Sequence, residues 1–336
     1  MRKVFIDPPS KAFYKNRFFE DSELNRDDCL RPYINLKNEL NDKGVDVNTF
    51  DLWDGNSLME YYSFGILDHI EKVLAHPKVK MKAFYIFEPP IVAPSIYKAL
   101  PKLTSMFEVV YIHNTHGDGY SLKGVNQSKL KKLLWPQPFS HVLEPYWSNS
   151  TRKRKVVVIN GNHRPALRKN ELYSKRIEAM VALAKFDMVD LYGRGWERWY
   201  SRASMWLPYW KNRKSLMSIY KGSCESKYDV LSQYEFCLCF ENMVMDGYMT
   251  EKLFDCLYAG CVPIYYGASD VFNYVDSDMY IDATKFSDWG EILKFITSLS
   301  EVDIKSMRLK GEEFLGGGGM DKFYTSLLHI GEKKEC

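Results

Sequence analysis

Short apolar runs alternate along this chain with segments whose apolar residues recur at helical spacing. Val4–Ile6, Val45–Phe50, Lys82–Phe87 and Phe107–His113 read as strands. Between them, Cys29–Lys43 (closed by Gly44), Gly65–His76 (stopped by Pro77) and Ile96–Leu103 read as helices. Beyond residue 150 the same rhythm returns: strand Val156–Ile159, helix Glu171–Lys185, strand Met188–Tyr192. Strands alternating with helices predict parallel sheets flanked by helices, an α/β fold. Ser201–Tyr228 is aromatic and basic and shows no clear period. Pro136, Pro138 and the polar run Ser148–Thr151 mark a linker. The expected organisation is 1–150, 151–315, and a tail 316–336. In that tail Gly316–Gly319 precedes a helix Met320–Ile330, which is expected to pack back on the first domain.

The densest unit is Tyr234–Gly267, YEFCLCFENMVMDGYMTEKLFDCLYAGCVPIYYG. Tyr234–Phe240 reads as a buried strand, and Asp246-Gly247 as a turn. Thr250 suits a helix N-cap, with Glu251 in the first turn, where the helix dipole favours negative charge. Leu253, Phe254, Leu257 and Tyr258 form a helical apolar face, Gly260 ends it, and Cys261–Tyr266 returns as a second strand. In strand–loop–helix–strand units, ligands bind outside the carboxyl ends of the strands, where a helix N-terminus offers N–H groups to an anion. Asn242, Tyr248, Glu251 and Lys252 fall at that end.

Composition narrows the class. A chain of 336 residues has room for two cores, and 46% hydrophobic with 26% charged residues is ordinary for a globular protein. The net charge of +3 is too small to argue for a nucleic-acid partner, and none is expected. Seven cysteines without a Cys-x-x-Cys spacing read as buried thiols in a reducing compartment, not disulfides or a zinc site. The chain opens without a signal-peptide pattern and holds no apolar run long enough to cross a membrane. A cytoplasmic location is therefore expected, with peripheral contact at the inner face of a membrane compatible with it.

Three words of the dense unit carry a resemblance: Phe240-Glu241-Asn242, Tyr248-Met249-Thr250-Glu251-Lys252 and Ala259-Gly260-Cys261-Val262-Pro263-Ile264. In this order and spacing they are similar to the signature of the α1,3/4-fucosyltransferases, glycosyltransferase family 10. The resemblance implies the GT-B architecture, two Rossmann-like domains facing a central cleft. It also implies an inverting transfer of fucose from GDP-fucose to a hydroxyl of GlcNAc or glucose in an oligosaccharide or glycolipid. An α1,3 linkage in cell-surface glycan or lipopolysaccharide synthesis would follow. Another nucleotide sugar, or a binding protein without catalysis, would fit the same motif.

Such a transfer needs a base for the acceptor hydroxyl and positive charge for the departing diphosphate. Lys252 and Arg194, the latter in Tyr192-Gly193-Arg194-Gly195 after a predicted strand, are the expected cations. The flanking glycines would let the backbone approach a ligand. The resemblance gives Glu251 to the donor ribose and Asn242 and Tyr248 to the nucleotide-sugar pocket. Glu241 either joins that pocket or holds the loop together. Glu88, at a strand end and followed by Pro89-Pro90, is the expected catalytic base, with His113 and His116 as rivals. No metal site is expected, because the histidines lack a third ligand and Asp276-Ser277-Asp278 follows no predicted strand. No cofactor is obligatory on this reading, and a divalent metal would at most stimulate.

Overall fold

A computed structural model describes residues 2–198 and 206–332. Cys336 and the first part of the aperiodic stretch, residues 201–205, lie outside them. The chain folds as two compact units, Met1–Pro138 with Asp321–Cys336, and Phe139–Met320.

The first unit is a six-stranded sheet, parallel throughout. Its strands are β1 (Arg2–Asp7), β2 (Val45–Thr49), β3 (Met59–Ser63), β4 (Val79–Tyr85), β5 (Val109–Ile112) and β6 (Leu130–Lys132), in the order β2-β1-β3-β4-β5-β6. Helix α1 (Arg31–Asp42) buries Pro32, Leu36 and Leu40, one stripe at i, i+4 and i+8, and Gly44 follows at positive φ. Two strands escaped the sequence reading. β3 is tyrosine-rich and follows a polar turn, and β6 is a short, lysine-bearing edge strand.

Three predicted helices change shape. The segment 65–76 holds only α2 (Ile70–Leu74), because Gly65 sits at positive φ and Ser63 Oγ takes the Ile66 N–H in a turn. The segment 96–103 divides into α3 (Pro94–Lys98) and α4 (Leu100–Met106) around Ala99, where Pro101 brings no N–H to continue the first helix. The segment 320–330 forms a short helix Asp321–Tyr324 and a 3-10 turn Leu328–Gly331. There the Arg2 guanidinium takes the Ile330 and Gly331 carbonyls, at 3.1 and 2.9 Å, away from helical bonding.

The second unit is a five-stranded parallel sheet. Its strands are β7 (Lys153–Ile159), β8 (Val189–Tyr192), β9 (Tyr234–Phe240), β10 (Val262–Tyr266) and β11 (Ile281–Asp282), in the order β11-β10-β9-β7-β8. Its helices are α5 (Glu144–Trp147), α6 (Tyr173–Ala184), α7 (Leu207–Ile219), α8 (Lys227–Leu231), α9 (Glu251–Tyr258), α10 (Trp289–Ser298) and α11 (Glu301–Gly316). β9 is central and buried except at Glu235, which is why it reads as a continuous apolar run. Phe236, Leu238 and Phe240 pack with Ile177, Met180 and Leu183 of α6 in one core. The polar run Ser148–Thr151 of the expected linker belongs to this unit. Leu143 N–H bonds the Tyr258 carbonyl at 2.9 Å, Tyr258 Oη donates to the Phe139 carbonyl, and Arg152 donates to the carbonyls of Tyr146, Trp147 and Ala259. The unit therefore begins just after Pro138, ahead of the expected 150/151 division.

Candidate active site

The site in the second unit is built where β9 runs out. Glu241 extends the ladder by donating its N–H to the Tyr266 carbonyl at 2.8 Å, and its side chain turns inward with no exposed surface. A buried carboxylate must be compensated. Thr250 supplies its N–H at 2.8 Å and its hydroxyl at 2.9 Å, and Lys252 Nζ stands at 3.1 Å. Thr250 does occupy the N-cap of α9 with extended backbone, but its hydroxyl does not cap the helix; it is spent on Glu241 and accepts from Lys252 Nζ at 2.7 Å. Glu241 is thus the centre that joins the β9 loop to the first turn of α9, and of its two expected roles it is seen in the holding one.

Behind it lies Arg176 of α6, 4% exposed, whose guanidinium donates to the carbonyls of Phe240 at 2.6 Å and Glu241 at 3.1 Å. Burial pushes the Arg176 pKa down, while Tyr173 and then Glu241 oppose that shift. The sequence reading missed this residue, because an arginine within a predicted helix looks like a solvated face. Its one signal was its place among apolar neighbours, next to Ile177.

Lys252 keeps 27% of its side chain exposed and also reaches Glu251 at 3.5 Å. Burial alone would lower its pKa, but Glu241 and then Glu251 outweigh it, so the ammonium is held above the ordinary lysine value. Glu251 is shifted down: burial opposes ionisation, and the charges of Lys252 and Lys227 overcome it. Asn242 Nδ2 donates to Tyr248 Oη at 3.2 Å, with Tyr248 buried and Asn242 half-buried. The loop is strapped by Leu172 N–H to the Asn242 carbonyl and by Gly247 N–H to Asp270. Gly247 takes the positive φ the Asp-Gly turn requires.

Arg194 follows β8, two strands from β9 at the same carboxyl edge, about 10 Å away by strand spacing. It is exposed, and its side chain makes no hydrogen bond or ion pair among the described residues. Its flanking glycine serves the chain itself. Gly193 lies at φ +138, and a Cβ there would fall 2.0 Å from the Asn160 carbonyl oxygen. Tyr220 Oη bonds the Gly193 carbonyl, and Asn162 N–H bonds that of Arg194. Asn162, 3% exposed, has an amide oxygen without a partner among the described residues. The Asn160-Gly161-Asn162 turn after β7 was the overlooked signal for this part of the edge.

In the first unit Glu88 is exposed just beyond β4, and Pro89 starts a turn in which Val92 and Ala93 donate to its carbonyl. His113 is completely buried, its Nε2 2.7 Å from the Phe87 carbonyl. Burial pushes its pKa down to about 4, with the Phe87 bond opposing and Lys132 assisting. A neutral ring donates Nε2–H to that carbonyl, so His113 anchors the segment leading to Glu88. His116 is exposed in the following loop. Asp276 accepts from the Asp278 N–H in a 3-10 turn, and no group of three metal-ligating side chains occurs among the described residues.

Two Rossmann-like units of parallel strands and covering helices make this chain a GT-B protein. An α1,3-fucosyltransferase crystal structure shares the fold with a TM-score of 0.57 at 13% identity, over 93% of this chain and 82% of that one. Residues 150–308 match the family described as Glycosyltransferase family 10 (fucosyltransferase) C-term. Among relatives, an α-(1,4)-fucosyltransferase of Arabidopsis thaliana is 41% identical over 71 residues, 21% of this chain and 18% of that protein. GDP-fucose protein O-fucosyltransferase 3 of Xenopus tropicalis is 36% identical over 132 residues, 39% of this chain and 26% of that protein. The matches thus span about a quarter or less of those relatives' lengths. No helix among the described residues is long and apolar enough to cross a membrane.

Proposed function

We propose that the protein is an inverting fucosyltransferase that moves fucose from GDP-fucose to a hydroxyl of a sugar acceptor, GlcNAc or glucose. The observation that carries this reading is the Glu241–Thr250–Lys252 constellation at the head of α9, inside the region that matches family 10. In one displacement the acceptor oxygen attacks the anomeric carbon as the bond to the β-phosphate oxygen breaks. The acceptor proton passes to Glu88. The negative charge gained by the leaving GDP meets Lys252 and Arg194. Glu251 serves the donor ribose, and Asn242 with Tyr248 shapes the nucleotide-sugar pocket.

Because Lys252 is already shared between Glu241 and Glu251, the unencumbered Arg194 carries much of the leaving-group stabilisation. No metal is assigned a step, and transfer is expected to survive a chelator. An α1,3 linkage and a role in surface-glycan or lipopolysaccharide synthesis, at the cytoplasmic side of a membrane, complete the reading. The relative named as a protein O-fucosyltransferase favours a second acceptor class, a serine or threonine hydroxyl.

Thermal unfolding with nucleotides tests the donor. GDP at about 100 times its dissociation constant is expected to stabilise by about 2.7 kcal/mol, and UDP by much less. Equal stabilisation by UDP removes GDP-fucose as donor, and fucose appearing only on peptide acceptors replaces the sugar acceptor.

A further inference from the structure

The carboxyl edge of the first sheet holds a second group of polar side chains that the transfer described above leaves unused. Asp7 ends β1 with no exposed surface. Its carboxylate accepts from Tyr61 Oη at 2.6 Å and Tyr14 Oη at 3.4 Å, and stands 2.7 Å from Nε2 of His69. His69 lies between β3 and α2 and keeps 22% of its side chain exposed. Its ring stacks on Phe50, which follows β2, with centroids 4.8 Å apart and planes 10° apart. A buried carboxylate fixes one ring nitrogen and an aromatic face fixes the plane. At that approach Nε2 is buried and lies outside hydrogen-bond geometry, so its contact with Asp7 is electrostatic, while the other nitrogen, Nδ1, makes no hydrogen bond among the described residues. The Asp7 charge beside Nε2 favours the proton on that nitrogen, which leaves Nδ1 a lone pair, an arrangement suited to a hydroxyl.

The two tyrosines explain why the carboxylate is built so firmly. A carboxylate serving only to end a strand could stay exposed, as Glu88 is. Burying it and surrounding it with two hydroxyls holds the imidazole in one orientation.

Resting on the fucosyltransferase reading, we propose that the Asp7–His69 pair is a hydroxyl-binding subsite for a polyhydroxylated acceptor. It takes the sugar next to the one whose hydroxyl attacks. In the order β2-β1-β3-β4, Asp7 lies two strands from the segment that carries Glu88, about 10 Å by strand spacing and the span of a short oligosaccharide. His69 is a positioning residue there, and Glu88 remains the base.

The test compares wild type with His69→Gln on a disaccharide and on its single reacting monosaccharide, with GDP-fucose as donor. His69→Gln is expected to raise the disaccharide KM about tenfold, the loss of one such hydrogen bond, with kcat near wild type and the monosaccharide KM unmoved. Phe50→Leu, which frees the ring plane, is expected to raise the disaccharide KM by a smaller factor at unchanged Tm. Equal KM changes on both acceptors, or none, overturn the subsite. A collapse of kcat at constant KM also overturns it, by making His69 the base. Wild-type protein that transfers to no sugar, while GDP still stabilises it, overturns the acceptor reading and the subsite with it.

Discussion

At the carboxyl edge of the second sheet, Glu241, Thr250, Glu251 and Lys252 come from one contiguous stretch and satisfy one another. At the edge of the first sheet, Asp7, His69, Glu88 and His113 come from four separate connections. The second unit buries Glu241 against a partly exposed Lys252 and leaves Arg194 exposed. The first unit buries a carboxylate and a neutral imidazole and leaves the proposed base, Glu88, exposed. Stability and chemistry are therefore coupled in the second unit and separated in the first.

The largest test of that separation is Glu88→Gln, which keeps the shape and removes the basicity. Turnover is expected to fall by roughly 10²–10⁴, with unchanged Tm and GDP affinity. Slow release of fucose to water survives, since it depends on the cations. Wild-type transfer by this variant would remove Glu88 from the chemistry and leave the donor site standing.

The coupled edge behaves differently. Lys252→Ala and Arg194→Ala are each expected to reduce turnover by roughly 10²–10³. Only Lys252→Ala should also destabilise, by about 1.5–3 kcal/mol, because it removes a charged hydrogen-bond partner of buried Glu241. Denaturant unfolding beside steady-state rates separates the two. Equal stability of both variants would show that Glu241 needs Thr250 alone, and the contrast between the edges would shrink.

The same contrast explains what could be read from the sequence. The β9–α9 unit was legible in type, order and nearly in its boundaries, because its apolar run, turn and helix face are local patterns. The purpose of Thr250 was not: an N-cap position in sequence does not reveal that a buried carboxylate nine residues away claims the hydroxyl. Gly193 is similar, its freedom being consumed by the Asn160 carbonyl from a different loop. Arg176 and the Asp7–His69 pair depend on strand order, which no local period encodes. The split of the helix at Ala99 was open to view in Pro101, but a continuous apolar spacing concealed it.

The smallest effect concerns His113, and it sharpens the claim that the first edge buries neutral groups. The folded ring titrates at about 4, well below its ordinary value of 6.5, because burial disfavours the imidazolium. About one unit or more above 6.5 neither folded nor unfolded chain binds this proton appreciably, so the contribution is fully present. As pH falls from 6.5 towards 4 the unfolded chain takes up the proton first, and stability is lost. From about pH 7.5 to about pH 5.5 this loss is about 1.4 kcal/mol. Asp255, raised to about 6 by burial against the pull of Lys227, and Asp7, also raised by burial, act in the opposite sense. The whole-protein curve is therefore a sum, and the slope difference between wild type and His113→Gln isolates the histidine. Denaturant midpoints across that range should fall more steeply for wild type. Parallel curves would mean the ring is charged or open to water. A His113→Gln protein that folds but no longer transfers would move the base from Glu88 into the histidine loop.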